Sequence, residues 1–151
     1  MAATYVVAPH GGVGAVRFGM SRAEVRAAMP DVPVAFGRQS GDAPVDSWHD
    51  FVLQVFYDAD DLVEYIEVER DETFAALLYD EPLLLLPVDR ALAHVCRHGH
   101  DQPEGDDLPY AHVFPALDLA LWRPHDGEEA SGCFASLGVA REGALATRFA
   151  R

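Results

Sequence analysis

The most regular pattern in the chain is an alternation of apolar and polar residues between positions 51 and 69. Two apolar-rich runs, 51–57 (FVLQVFY) and 62–69 (LVEYIEVE), flank the acidic segment 58–61 (DADD). A connection of that length between two strand-like runs is typical of a β-hairpin. Because successive side chains of a strand point to opposite faces, one parity of the second run is expected to be buried and the other solvated. The parity expected to be solvated carries Tyr65, Glu67 and Glu69.

The signals for a helix are clearest around Ser21. Ser21 and Glu24 form a capping box, in which each side chain accepts a hydrogen bond from the backbone amide of the other residue. Pro30 disfavours helical geometry in the residue before it. The pattern therefore predicts a short helix over 22–29.

Other apolar runs predict the remaining elements. A second helix is predicted over 88–98, where apolar residues follow Pro87 at helical spacing. Residues 73–79 fit a strand or a helical turn, because a short apolar run does not distinguish the two. Residues 38–46 are polar and are predicted to form a loop. Further strands are predicted at 4–8, 32–36, 110–114, 117–122 and 133–139.

This order of elements predicts an α+β fold, with one or two antiparallel sheets and two helices packed on one side. The chain, residues 1–151, is expected to form a single domain, since its length is that of one typical domain. A helix followed by three strands occurs twice, within 14–79 and within 87–139. The two halves share a pattern and not residues, so both an internal duplication and a coincidence remain open.

The chain is strongly acidic, with 25 acidic and 11 basic residues and a formal net charge of −14. Such a surface disfavours nucleic acid and anionic membranes as partners, because phosphate binding needs basic residues. The longest apolar run, 82–88, is far shorter than the roughly 20 residues of a membrane span. Without a signal-peptide pattern at the N-terminus, the protein is expected to be cytoplasmic.

A histidine cluster is the most specific candidate for metal chemistry. His94 and His98 are four residues apart, so on a helix they lie on one face and could bind zinc, with Cys96 or His100 as a third ligand. The sequence has no HExxH motif, and Gly99 is expected to end the helix before His100. Imidazoles at a helix C-terminus also complement the helix dipole. We therefore expect no metal and no other cofactor, and no catalytic residue is assigned.

An acidic surface around the hairpin is the candidate site for a protein partner. Charged groups accelerate encounter with a partner of opposite charge, and an aromatic side chain supplies affinity. Trp122 is expected on the outward parity of a strand in the second half of the chain. The predicted partner-binding residues are Asp58, Asp60, Asp61, Tyr65, Glu67, Glu69 and Trp122.

Two segments resemble a loose group of small bacterial proteins, some of which look like immunity proteins of polymorphic toxin systems. The segment 14–29 contains RFGMSRAEV, which is similar to that group's G-x-[IV]-x-[FL]-G-M-[ST]-x-x-E-[VL] opening. The segment 117–123 (LDLALWR) is similar to an L-x-L-W-R strand in the same group. A related opening occurs in outer-membrane assembly lipoproteins, whose signal and cysteine this chain lacks. The resemblance implies binding of a toxin and assigns no functional residue.

Taken together, the acidity, the absence of a catalytic motif and the resemblance predict a non-enzymatic protein that binds and neutralises a basic partner such as a toxin. Two alternatives remain open. One is a metal-binding protein or metal-dependent enzyme that uses His94 and His98. The other is a structural subunit of an oligomer, for example a homodimer.

Overall fold

The computed structural model describes residues 3–37, 44–98, 111–123 and 132–145. The helices are α1 (Arg22–Ala28) and α2 (Val88–Arg97). The strands in chain order are β1 (Ala3–Ala8), β2 (Gly12–Val13), β3 (Val16–Arg17), β4 (Val34–Phe36), β5 (Val45–Trp48), β6 (Leu53–Tyr57), β7 (Val63–Glu69), β8 (Phe74–Leu78), β9 (Glu81–Pro82), β10 (Ala111–Phe114), β11 (Leu119–Trp122) and β12 (Ser136–Ala140).

The strands form a small and a large sheet. The small sheet has the order β3-β2-β1-β8-β9, and the large sheet has the order β10-β11-β12-β7-β6-β5-β4. Neighbouring strands are antiparallel, except that β1 and β8 are parallel. One buried cluster contains residues of both sheets and both helices, among them Val7, Val25, Ile66 and Val95. The predicted α+β class and the predicted β6–β7 hairpin are confirmed.

The capping box that begins α1 is confirmed. The backbone amide of Glu24 donates to Oγ of Ser21 at 3.1 Å, and the amide of Ser21 donates to Oε1 of Glu24 at 2.9 Å. Helix α2 follows Pro87 as predicted, although no side chain caps it. Neither helix in the described part of the chain is long and apolar enough to cross a membrane.

The main difference from the predicted elements is strand β5, which begins inside the segment 38–46 that was predicted to be a loop. Its residues Asp46 and Ser47 are polar and nevertheless buried. Polar residues in a sequence favour the prediction of a solvated loop. In the structure the polar side chains of Asp46 and Ser47 are instead hydrogen-bonded to residues of other elements. The run 73–79 is resolved as a strand, β8, because it pairs with β1 in register.

The two halves of the chain meet in the middle of the large sheet. Strands β4 to β7 and strands β10 to β12 each lie side by side in chain order, and β7 pairs with β12. Strand β8 leaves this arrangement and joins the small sheet. The internal duplication therefore stays a prediction, as does the packing of both helices on one side.

The second face of the large sheet, opposite the main core, carries a smaller buried cluster that the alternation did not predict. Tyr65 is only 1 % exposed there, and it packs with Phe56, Ala140 and Leu145. The expectation that Tyr65 is solvated is therefore wrong. The ring also lies across Gly138 on the neighbouring strand, where an added Cβ atom would collide with the Tyr65 hydroxyl group.

We expect Gly138→Ala to lower the free energy of unfolding by about 1–3 kcal/mol, because the new methyl group would force the Tyr65 ring from its position. The measurement is urea denaturation followed by circular dichroism. In a Tyr65→Val background the same substitution should cost much less, since the ring is gone. An equal cost in both backgrounds would mean that the ring is not the constraint.

Candidate functional site

Glu67, Glu69 and Trp122 lie on one face of the large sheet. In the register of the strands, Glu69 is opposite Ser136, and Ser136 is opposite Trp122. Glu69 and Trp122 are therefore in one cross-strand row, about 10 Å apart. Glu67 is two residues from Glu69 on the same strand and shares its face. All three side chains are partly exposed, so this face presents two carboxylates beside an indole.

Tyr65 is buried beneath this face and contacts one of its carboxylates. Its hydroxyl group donates a hydrogen bond to Oε1 of Glu67 at 2.9 Å. Because the ring is buried, it offers little area for contact with a partner. The hydroxyl group of Tyr65 instead restricts the conformation of the Glu67 side chain by this hydrogen bond.

The three tip carboxylates at the β6–β7 turn differ from one another in their environment. Asp61 accepts hydrogen bonds from the Arg22 guanidinium group at 2.9 and 3.1 Å. Asp58 accepts one from Nη1 of Arg141 at 2.9 Å. Asp60 is exposed, and only its backbone amide bonds to Asp58. Two of the three predicted tip residues are thus neutralised within the chain, and the tip is less acidic than its sequence indicates.

The hydrogen bonds at the tip also determine how Asp58 titrates. Burial opposes ionisation, but bonds from the backbone amides of Leu62 and Asp60 and from Arg141 outweigh it. The pKa of the Asp58 carboxyl group therefore lies below its ordinary value.

Among the described residues the carboxylate with the most hydrogen bonds is Asp46, which the sequence did not predict as a site residue. It is fully buried, and it accepts hydrogen bonds from Arg26 at 2.7 and 3.0 Å and from the Tyr57 hydroxyl group at 2.9 Å. Arg22 approaches it at 3.3 Å. Burial and the bond to Asp46 raise the pKa of Tyr57 well above its usual range, so its hydroxyl group remains a donor.

A sequence signal for Asp46 exists in α1. Arg22 and Arg26 are four residues apart, so they lie on one face of the helix, where like charges repel. Such a pair indicates an acidic group placed between the two side chains. The spacing of the two arginines indicates a carboxylate but does not identify it as Asp46.

Asp118 is a second buried carboxylate in the described part of the chain. It follows a 3-10 turn in a left-handed conformation, with φ of 48°. Its oxygens accept hydrogen bonds from Nε2 of His10 at 2.9 Å and from the amides of Gly143 and Leu145 at 3.0 and 3.4 Å. Asp118 thereby holds the turn that places Leu145 over Tyr65.

The histidines at the end of α2 are bonded to main-chain carbonyl groups. Nε2 of His94 lies 2.9 Å from the oxygen of Leu78 and 3.1 Å from that of Tyr79, so it carries the proton and donates. Nδ1 of His98 donates to the oxygen of His94 at 2.9 Å. Among the described residues no group of three metal-ligating side chains occurs. His100, the third ligand considered from the sequence, lies outside them.

Comparison of the chain with protein-family models, curated proteins and solved structures finds no match. The resemblance of residues 14–29 to an immunity-type opening therefore stays a prediction.

We expect Asp46→Asn to lower the free energy of unfolding by about 3 kcal/mol, because it leaves the Arg22 and Arg26 charges without their shared partner. Arg26 is partly exposed, and water will offset some of this cost. Urea denaturation provides the measurement, and Asp60→Asn is the matched control, expected within about 0.5 kcal/mol of wild type. Equal effects of the two substitutions would contradict the anchoring role of Asp46.

The lowered pKa of Asp58 predicts a dependence of stability on pH. A carboxyl group with a lowered pKa in the folded state stabilises the protein above its unfolded pKa, and this contribution is lost as pH falls through the folded value. Wild type should therefore lose stability below about pH 4 more steeply than Asp58→Asn. Denaturation midpoints between pH 2 and 6 test this. Parallel curves for the two proteins would show that Asp58 has no favourable bonds to lose.

Proposed function

We propose that this protein is a non-enzymatic binding module that recognises and neutralises a basic partner protein, as immunity proteins do. The observation that carries the proposal is the face formed by Glu67, Glu69 and Trp122 on a chain of net charge −14. An indole beside two carboxylates suits a cationic surface, because the ring adds contact area and cation–π attraction to the charge.

The electrostatics of the whole chain support a basic partner. An excess of negative charge raises the rate of encounter with a positive protein, and the effect falls with ionic strength. At the β6–β7 turn the exposed Asp60 adds to this field, while Asp58 and Asp61 are committed to Arg141 and Arg22. These ion pairs favour the sheet face over the turn as the surface that would contact the partner.

The test is co-expression with the product of an adjacent gene that encodes a basic protein. The proposal predicts a stable complex and protection of the host from that protein. The variant Glu67→Gln/Glu69→Gln removes two charges and keeps an acceptor for the Tyr65 hydroxyl group. It should weaken binding at least tenfold at low salt, chiefly through a slower association rate.

The matched control is Glu72→Gln/Asp89→Asn, which removes two exposed charges from other parts of the fold. It should change the dissociation constant less than twofold. A complex that both double variants weaken equally would argue for net charge alone and against this face. If a basic protein encoded by the adjacent gene forms no complex with this chain and the chain gives no protection from it, the proposed function is overturned.

A further inference from the structure

Strand β4 is an edge of the large sheet that carries apolar side chains into solvent. Among the described residues no strand pairs with its outer side. Val34 is 54 % exposed, and Val32, just before the strand, is 91 % exposed. Edge strands of natural proteins are usually protected by charged side chains, proline or a bulge. The three residues of β4, Val-Ala-Phe, carry no charge, and Pro33 before them has no amide donor, so the pairing edge is limited to residues 34–36.

Phe51 extends this apolar edge. Its ring lies 5.4 Å from that of Phe36, in an edge-to-face arrangement, and it remains 46 % exposed. It belongs to the turn between β5 and β6, where His49, Asp50 and Phe51 all have positive φ angles, between 56° and 68°. Three successive left-handed residues other than glycine are unfavourable. The backbone of this turn is thus in an unfavourable conformation, and the aromatic ring of Phe51 is at the surface.

The margin of the apolar edge is acidic. Asp31 precedes Val32 and Asp50 precedes Phe51, and both carboxylates are exposed without an ion-pair partner among the described residues. Both arginines of α1 are paired with other carboxylates, Arg26 with Asp46 and Arg22 with Asp46 and Asp61. A second copy would bring one acidic margin against another on chains of net charge −14, whereas a basic partner would meet opposite charge.

We propose that β4 is a docking edge for an extended segment of a basic partner protein. The segment would pair with residues 34–36 as an added strand and pack apolar side chains on Val34, Phe36 and Phe51. Its lysine or arginine residues would lie near Asp31 and Asp50. Main-chain hydrogen bonds supply affinity in this mode of binding, and alternate side chains supply specificity. The inference rests on the proposed function and adds a second contact with the same partner, at the edge of the same sheet, together with its mode of binding.

The first experiment uses a synthetic peptide of alternating valine and lysine, eight residues long, and the full chain labelled with nitrogen-15. The expected result is saturable shifts of the amide signals of residues 34–36 and 51. A peptide of alternating valine and glutamate should produce none of them. Shifts confined to other parts of the chain, or no saturable shifts with the lysine peptide, would overturn the proposal.

Variants then test the edge directly. Val34→Lys should weaken binding of the lysine peptide at least tenfold, since it removes apolar area and adds a like charge. Val6→Lys is the matched control, because Val6 is a valine of similar exposure (60 %, against 54 % for Val34) on a strand of the small sheet. It should change binding less than twofold. Equal effects of the two variants would contradict docking at β4.

Two outcomes separate this inference from the proposed function. If Val34→Lys leaves the complex with the natural basic partner intact while Glu67→Gln/Glu69→Gln weakens it, the docking edge fails and the function stands. If the lysine peptide binds at β4 but no basic partner protein binds, the proposed function fails and the edge stands. A dimer in sedimentation that Val34→Lys dissociates would identify a second copy as the occupant and overturn the choice of partner.

Discussion

The buried carboxylate of Asp46 joins the first helix to the large sheet. A carboxylate is stable away from water only when hydrogen bonds and opposite charge replace its hydration. Arg26 and Tyr57 provide those bonds, and Arg22 connects the same network to Asp61 at the hairpin turn. One group of ionic contacts therefore fixes the helix, the hairpin and strand β5, which is the neighbour of the docking edge. Removing one member would loosen all three.

Small residues determine the character of the opposite face of this sheet. Because Gly138 has no side chain, the ring of Tyr65 can lie across the neighbouring strand and reach Glu67 with its hydroxyl group. Leu145, held by Asp118, then covers the ring. The face is thus buried where the ring lies and accessible at its acidic positions. Burial and the proposed recognition would share one surface, since the buried ring of Tyr65 positions the partly exposed carboxylate of Glu67.

The features that the sequence predicted correctly are local ones. The capping box at Ser21 and the β6–β7 hairpin need only neighbouring residues, so their patterns are sufficient. The burial of Tyr65 was not predictable in this way. The alternation shows which face of the sheet the side chain is on, but not that Leu145, from a distant part of the chain, covers it there. Asp46 was missed for a related reason. Its partners come from another element, and only the spacing of the two arginines in α1 indicates that a carboxylate is needed.

The distribution of charge, and not its total, decides where a partner would bind. The sequence concentrates aspartates at the hairpin turn, yet Arg22 and Arg141 neutralise two of them. Both arginines therefore hold the turn to other parts of the fold. Away from the turn, negative charge lies on the sheet face at Glu67, which is bonded to Tyr65, and beside β4 at the exposed Asp31. At β4 a basic segment would gain both charge neutralisation and burial of apolar area, since Asp31 and Asp50 adjoin the exposed Val32 and Phe51 in sequence.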